Sequence, residues 1–161
     1  MGNLDYGVVG NGRTAALISA EGNIEWLCLP DFDSPSAFGK ILDVDKGGSV
    51  DFVVSPDYSI SQQYIEHTNV LVTTFDSPKE GCFEVIDFMP RYRTGDDTDY
   101  YIPSELYRLI KLKRGNPQFK VKYNPRMDYG KGKIIQKCGP EYGQSCLQRN
   151  LENAIYLYSS L

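Results

Sequence analysis

The sequence predicts an all-β fold, an antiparallel sandwich or barrel, and three observations carry that expectation. Apolar residues recur in short runs with the alternation of strands, not with the period of an amphipathic helix. Turn signals bearing Gly and Pro separate those runs at short intervals, giving roughly eight to ten strands. The chain also carries 12 Tyr, and aromatic side chains suit a pleated, half-buried surface.

The first run, Arg13–Ser19 (RTAALIS), passes through AEGN, with Gly22 and Asn23, into Ile24–Leu29 (IEWLCL). Two apolar runs around such a turn read as a β-hairpin. Val50–Val54 (VDFVV), Ser59–Ile65, Asn69–Phe75 (NVLVTTF) and Cys82–Met89 (CFEVIDFM) follow as strands. Between the last two, SPKEG supplies Pro78 and Gly81 for a second hairpin. Glu105–Arg114 (ELYRLIKLKR) and Phe119–Tyr123 (FKVKY) flank GNPQ, a third turn candidate, and Lys133–Lys137 and Ala154–Ser159 (AIYLYS) complete the series. Only Ala37–Leu42 predicts a helical turn. Two segments resist strand assignment, Pro30–Phe38 and Arg91–Ser104 (RYRTGDDTDYYIPS). The second, with Asp96, Asp97 and Asp99 beside Gly95, reads as a long surface loop. The last strand runs almost to Leu161, a layout expected of a sandwich that is cut short or continues in a longer parent.

Composition bounds the function. A chain of 161 residues, 41% hydrophobic and 24% charged, is expected to fold as one domain with a real core. Its 17 Lys+Arg against 21 Asp+Glu leave a net charge of −4, which disfavours a nucleic-acid partner. No apolar run approaches membrane-spanning length, and the N-terminus MGNLDYGVVGNG lacks the basic start and apolar core of a signal peptide. The chain therefore reads as soluble and cytoplasmic, without a membrane partner. The four Cys, at 28, 82, 138 and 146, form no CxxC pair, and His67 is the only His, so no zinc or other metal site is expected. Cys138 and Cys146 are spaced to meet across a hairpin, although free thiols are the expectation for a cytosolic chain.

Few constellations could carry chemistry. His67, in the turn-like IEHTN, reads as a solvated residue and not as a triad base. GxSxG and the P-loop are absent, and Gly7–Gly12 (GVVGNG) is neither GxGxxG nor followed by a helix, so no cofactor is expected. The carboxylate pairs, Asp31 with Asp33 and the Asp96, Asp97, Asp99 group, read as turn caps and solvated loop residues, not as a glycosidase pair or an EF-hand calcium loop. From Arg108 to Lys122 six basic residues occur without an acid, and the alternation of FKVKY places its Lys on one solvated strand face. Trp26, Phe32 and Phe38 with Asp31, Asp33 and Ser34 would suit a sugar, whose ring stacks on aromatics while carboxylates take its hydroxyls. The plainer reading puts Trp26 and Phe32 in the core, with Asp33 or Ser34 capping the helical turn from Ala37.

The run NGRTAALISAEGNIEWLCLPDFDSPSAF resembles the opening of the N-terminal domain of bacterial and archaeal family 15 glycoside hydrolases, the glucoamylase-like, glucodextranase-like and trehalase-like proteins. TNVLVTTF at Thr68–Phe75, VIDFMP at Val85–Pro90, LYRLIKLKRG at Leu106–Gly115 and NPRMDYG at Asn124–Gly130 continue the likeness in order over most of the chain. The resemblance implies an antiparallel two-sheet super-sandwich, the galactose mutarotase-like fold, over residues 1–161. In the family an (α/α)₆ barrel follows and carries the catalytic Glu pair that cleaves α-glucosides with inversion. That barrel has no counterpart in these residues, so no catalytic residue is assigned.

The expected role is a non-catalytic domain whose partner is the barrel of the parent protein, with an α-glucoside at the domain interface. Trp26, Asp31, Phe32 and Asp33 are the candidate interface or sugar-binding residues, and a stand-alone carbohydrate-binding module is the alternative. A mutarotase-like isomerase is the third reading, which His67 would have to serve. The family commonly has Arg where this chain has Asp31, and Phe where it has Met127; the second swap conserves volume.

Overall fold

The computed structural model describes residues 5–95, 99–148 and 150–159. Asp96 and Asp97 of the acidic loop, and Leu161, lie outside the described residues. Fifteen strands form among those described: β1 (Tyr6–Gly10), β2 (Ala15–Ser19), β3 (Ile24–Cys28), β4 (Ser36–Phe38), β5 (Ser49–Val53), β6 (Ser59–Tyr64), β7 (Leu71–Ser77) and β8 (Gly81–Phe88) come first. They are followed by β9 (Tyr92–Arg93), β10 (Tyr100–Tyr101), β11 (Tyr107–Gly115), β12 (Lys120–Asn124), β13 (Ile134–Cys138), β14 (Tyr142–Leu147) and β15 (Asn150–Tyr158).

Two antiparallel sheets face one another, which makes the fold an all-β sandwich and not a closed barrel. One sheet has the order β1-β2-β3-β5-β12 with β4 also on β3, and the other β11-β8-β7-β6. β3 shares one edge between two partners, β5 at Ile24 and β4 at Leu27 and Cys28. The two expected hairpins form, β2–β3 and β7–β8. The GNPQ turn joins strands of different sheets, because β11 pairs with β8 while β12 pairs with β5. It is a crossover between layers. β13, β14 and β15 make a separate meander.

Alternation places the core between the layers. One cluster gathers Val9, Ile18, Ile24, Leu27, Phe38 and Val50 of the first sheet around Leu71 and Met89. A second stacks Phe75 on Phe83 at 4.6 Å, with Phe52, Tyr58 and Val85 beside them. Burial of such rings removes apolar area from water at about 25 cal/mol per Å². One polar element crosses this layer. Arg108, in β11, lies opposite Asp87 in β8, with Nε and Nη2 donating to the two carboxylate oxygens at 2.6 and 3.0 Å. Nη2 also reaches the Gly22 carbonyl in the β2–β3 turn, and the guanidinium lies 5.0 Å over the Phe52 ring. The expected basic face thus loses one member to the interior: Arg108 is an inter-sheet pin.

The helical turn expected at Ala37–Leu42 does not form. Ser36–Phe38 is instead a short, fully buried strand, and turns follow in which Gly39 accepts from Leu42 and Asp43. Three small or aromatic residues at the rim of β3 gain more from its free carbonyls and the core than from a single turn of helix. Asp33 and Ser34 consequently cap no helix; Ser34 Oγ accepts from the Asp31 N–H at 3.0 Å. Cys138 and Cys146 are unpaired, the first exposed and the second buried, and all four thiols are free.

Candidate functional site

At one end of the sandwich the β1–β2 turn, the β3–β4 loop and the segments flanking β9 and β10 converge on Asn11. Gly10 and Gly12 bracket a tight turn, Gly12 at a positive φ of 88°, and Asn11 is buried inside it. Its Oδ1 accepts from the N–H groups of Arg13 and Thr14 at 3.1 and 3.2 Å. Its Nδ2 donates to the carbonyls of Pro103 and Pro90 at 2.8 and 3.4 Å. Arg91 Nη1 closes the ring by donating to the Asn11 carbonyl at 3.1 Å, and the Arg91 guanidinium lies 4.6 Å over the Tyr100 ring. Asn11 was not among the sequence candidates. The signal available was an Asn between two glycines, the composition of a turn whose side chain bonds locally.

Three of the candidate residues, Asp31, Phe32 and Asp33, stand on this braced end. Arg13 Nε meets Asp31 Oδ1 at 2.6 Å, and the Phe32 N–H donates to the Arg13 carbonyl at 3.1 Å. The β3–β4 loop contains a cis Leu29–Pro30 bond and is further tied by Ser104 Oγ donating to the Pro30 carbonyl at 3.3 Å. Phe32 projects with 61% of its surface exposed, so it is not a core residue. Asp33 beside it is exposed. The Arg13 guanidinium holds the Asp31 carboxyl below its ordinary range, the opposite of what a general acid needs near neutral pH. His67 sits exposed in the β6–β7 turn, its Nε2 3.3 Å from Glu66.

Trp26 belongs to a different place. It lies half-buried on β3, where its ring meets Tyr129 at a centroid distance of 6.5 Å. The structure thus joins Asp31, Phe32 and Asp33 in one loop and sets Trp26 beside the segment after β12. Among the described residues no group of three or more His, Cys, Asp or Glu is placed to hold a metal ion. Nor, among the described residues, is any helix long and apolar enough to cross a membrane.

Comparison with known proteins matches residues 5–141 to the family described as "Trehalase-like, N-terminal". The chain is 38% identical over 129 residues to "Trehalase 2" of Sulfolobus acidocaldarius, covering 79% of this chain and 19% of that protein. It is 37% identical over 139 residues to "Trehalase" of Thermoplasma volcanium, covering 82% of this chain and 21% of that protein. With "Trehalase" of Mycobacterium tuberculosis it shares 28% over 163 residues, covering 92% of this chain and 23% of that one. The chain spans about a fifth of the length of the curated relatives it matches. No solved structure matches it. On the family match across most of its residues, the chain belongs to the trehalase-like N-terminal domain family.

Proposed function

We propose that residues 1–161 are a non-catalytic sandwich domain of a longer family 15 glycoside hydrolase acting on α-glucosides in the cytoplasm. In this reading the Asn11 end of the sandwich packs against an (α/α)₆ catalytic barrel, and the β3–β4 loop, with Asp31, Phe32 and Asp33, rims the mouth of its active site. The observation that carries the reading is the character of that end. Its polar groups are spent on one another, Asn11 on four backbone groups and Asp31 on Arg13, while a large ring, Phe32, is left outside. Rigid loops presenting an exposed aromatic suit recognition of another surface more than proton transfer.

The test is binding in trans. The 161-residue chain and the separately produced remainder of its parent are expected to associate in sedimentation velocity. Phe32→Ala and Asp31→Lys, both surface changes, should each weaken that association by about tenfold. Association that neither change affects would move the interface to another face.

A further inference from the structure

The loop between β4 and β5 and Tyr129, the residue whose ring meets Trp26, line a partly open cavity of about 80 Å³. Ser36, Gly39, Asp43, Lys46, Gly47 and Tyr129 are among the residues lining it. Ser36 is only 1% exposed, yet its hydroxyl has no hydrogen-bond partner among the described residues. A buried hydroxyl left unpaired costs roughly 1–3 kcal/mol.

The walls are held by means that have their own cost. Gly39 donates to the Gly47 carbonyl at 2.7 Å and Gly47 to that of Asp43 at 2.8 Å; a Cβ on Gly47 would collide with the Gly39 carbonyl oxygen. Asp43 Oδ1 accepts from the N–H groups of Asp45 and Lys46 at 3.0 and 2.9 Å. On the far side Asp128 and Tyr129, neither of them Gly, both adopt left-handed backbone, at φ 53° and 55°. Such conformations are strained and persist where the surroundings over-determine them. Here they set the Tyr129 ring against the cavity, with Lys131 Nζ 5.5 Å from its centroid.

Size and polarity select the ligand. A water needs roughly 10–15 Å³ measured in this way, so the cavity has room for a few hydroxyl groups, not for a side-chain cluster or an oligosaccharide. Its lining residues carry two hydroxyls, of Ser36 and Tyr129, one carboxylate, one ammonium and an aromatic ring. Opposite charges disfavour a bare anion or cation, and the mixture of donors and acceptors beside a ring fits a neutral polyhydroxy ring. We propose that this cavity is a subsite for the hydroxyl-bearing edge of a single hexopyranose, with Ser36 as its deepest partner and Tyr129 as its stacking wall. The proposal is independent of the docking surface, whose residues it does not share.

Titrating glucose and maltose into the 161-residue chain by calorimetry, with the fluorescence of Trp26, its only tryptophan, as reporter, tests the subsite. A saturable heat with a matching fluorescence change is expected. Ser36→Ala should bind about tenfold more weakly while its unfolding temperature stays level or rises, because an unsatisfied group is removed. Lys46→Ala, a change of an exposed side chain, should also weaken binding. Absence of any saturable heat, or equal affinity in the Ser36→Ala variant, overturns the proposal.

Discussion

Arg108 sits in a basic run whose other members face water, and its fate is decided by what lies opposite it across the sheet. Register places it against Asp87, whose side chain is fully buried, while 13% of the Arg108 side chain stays exposed. Two charge-assisted bonds to Asp87 and a third to the Gly22 carbonyl join β8, β11 and the β2–β3 turn. Removing one partner of such a pair strands the other charge, so Arg108→Leu should lower the urea-derived stability by about 3–5 kcal/mol. Asn11 acts in the same way for the loops. Asn11→Ala leaves the buried Pro103 carbonyl, the half-buried Pro90 carbonyl and a turn without this partner, and a loss of about 2–3 kcal/mol with faster amide exchange at Arg13 and Thr14 is expected.

Tyr6 offers a test by pH. Its hydroxyl donates to Glu25 Oε2 at 2.7 Å, and that bond, with burial second, pushes its pKa from 10.0 up to about 12. A group whose folded pKa is raised stabilises the fold fully below the unfolded value and loses that contribution as pH climbs through the folded one. Stability should therefore fall between about pH 10 and about pH 12, and Tyr6→Phe should flatten that part of a thermal-unfolding series. None of these roles was legible in the sequence, because each depends on a partner 19 to 92 residues away.

At the scale of elements, periodicity served well where strands are long and half-buried. β2, β3, β5, β6, β7, β8, β11, β12, β13 and β15 all overlap expected runs, with ends shifted by a few residues. β1 carries Gly7 and Gly10, which dilute the strand signal, and Gly7 is there because Leu71 packs against its backbone. β4 is three residues long, and β14 begins with the polar Tyr142–Ser145 stretch, so neither had a pattern to read. β9 and β10 form a two-residue ribbon inside the segment expected to be loop. Gly81, the first residue of β8, has a φ of 124°, and a Cβ would collide with the Arg114 carbonyl oxygen across the β8–β11 ladder. Gly81→Ala should cost about 1–3 kcal/mol in denaturant unfolding. SPKEG announced the hairpin; the close approach that demands the glycine comes from β11.

For the whole molecule, the all-β class followed from local pattern and the two-sheet sandwich from the family resemblance, whereas the parting of β11 and β12 at GNPQ into different sheets had no local signal. The candidate residues separate in the same way. Asp31, Phe32 and Asp33 were adjacent in sequence and remain one loop, but Trp26 faces Tyr129 from a segment about a hundred positions on, a pairing no local reading could supply. Both surfaces agree with a domain that binds and positions: each presents an aromatic ring, Phe32 or Tyr129, beside polar groups. Glucose release from trehalose and maltose by the purified 161-residue chain tests this most directly. The account predicts none above the uncatalysed background at any pH; steady release proportional to the concentration of the chain would contradict it.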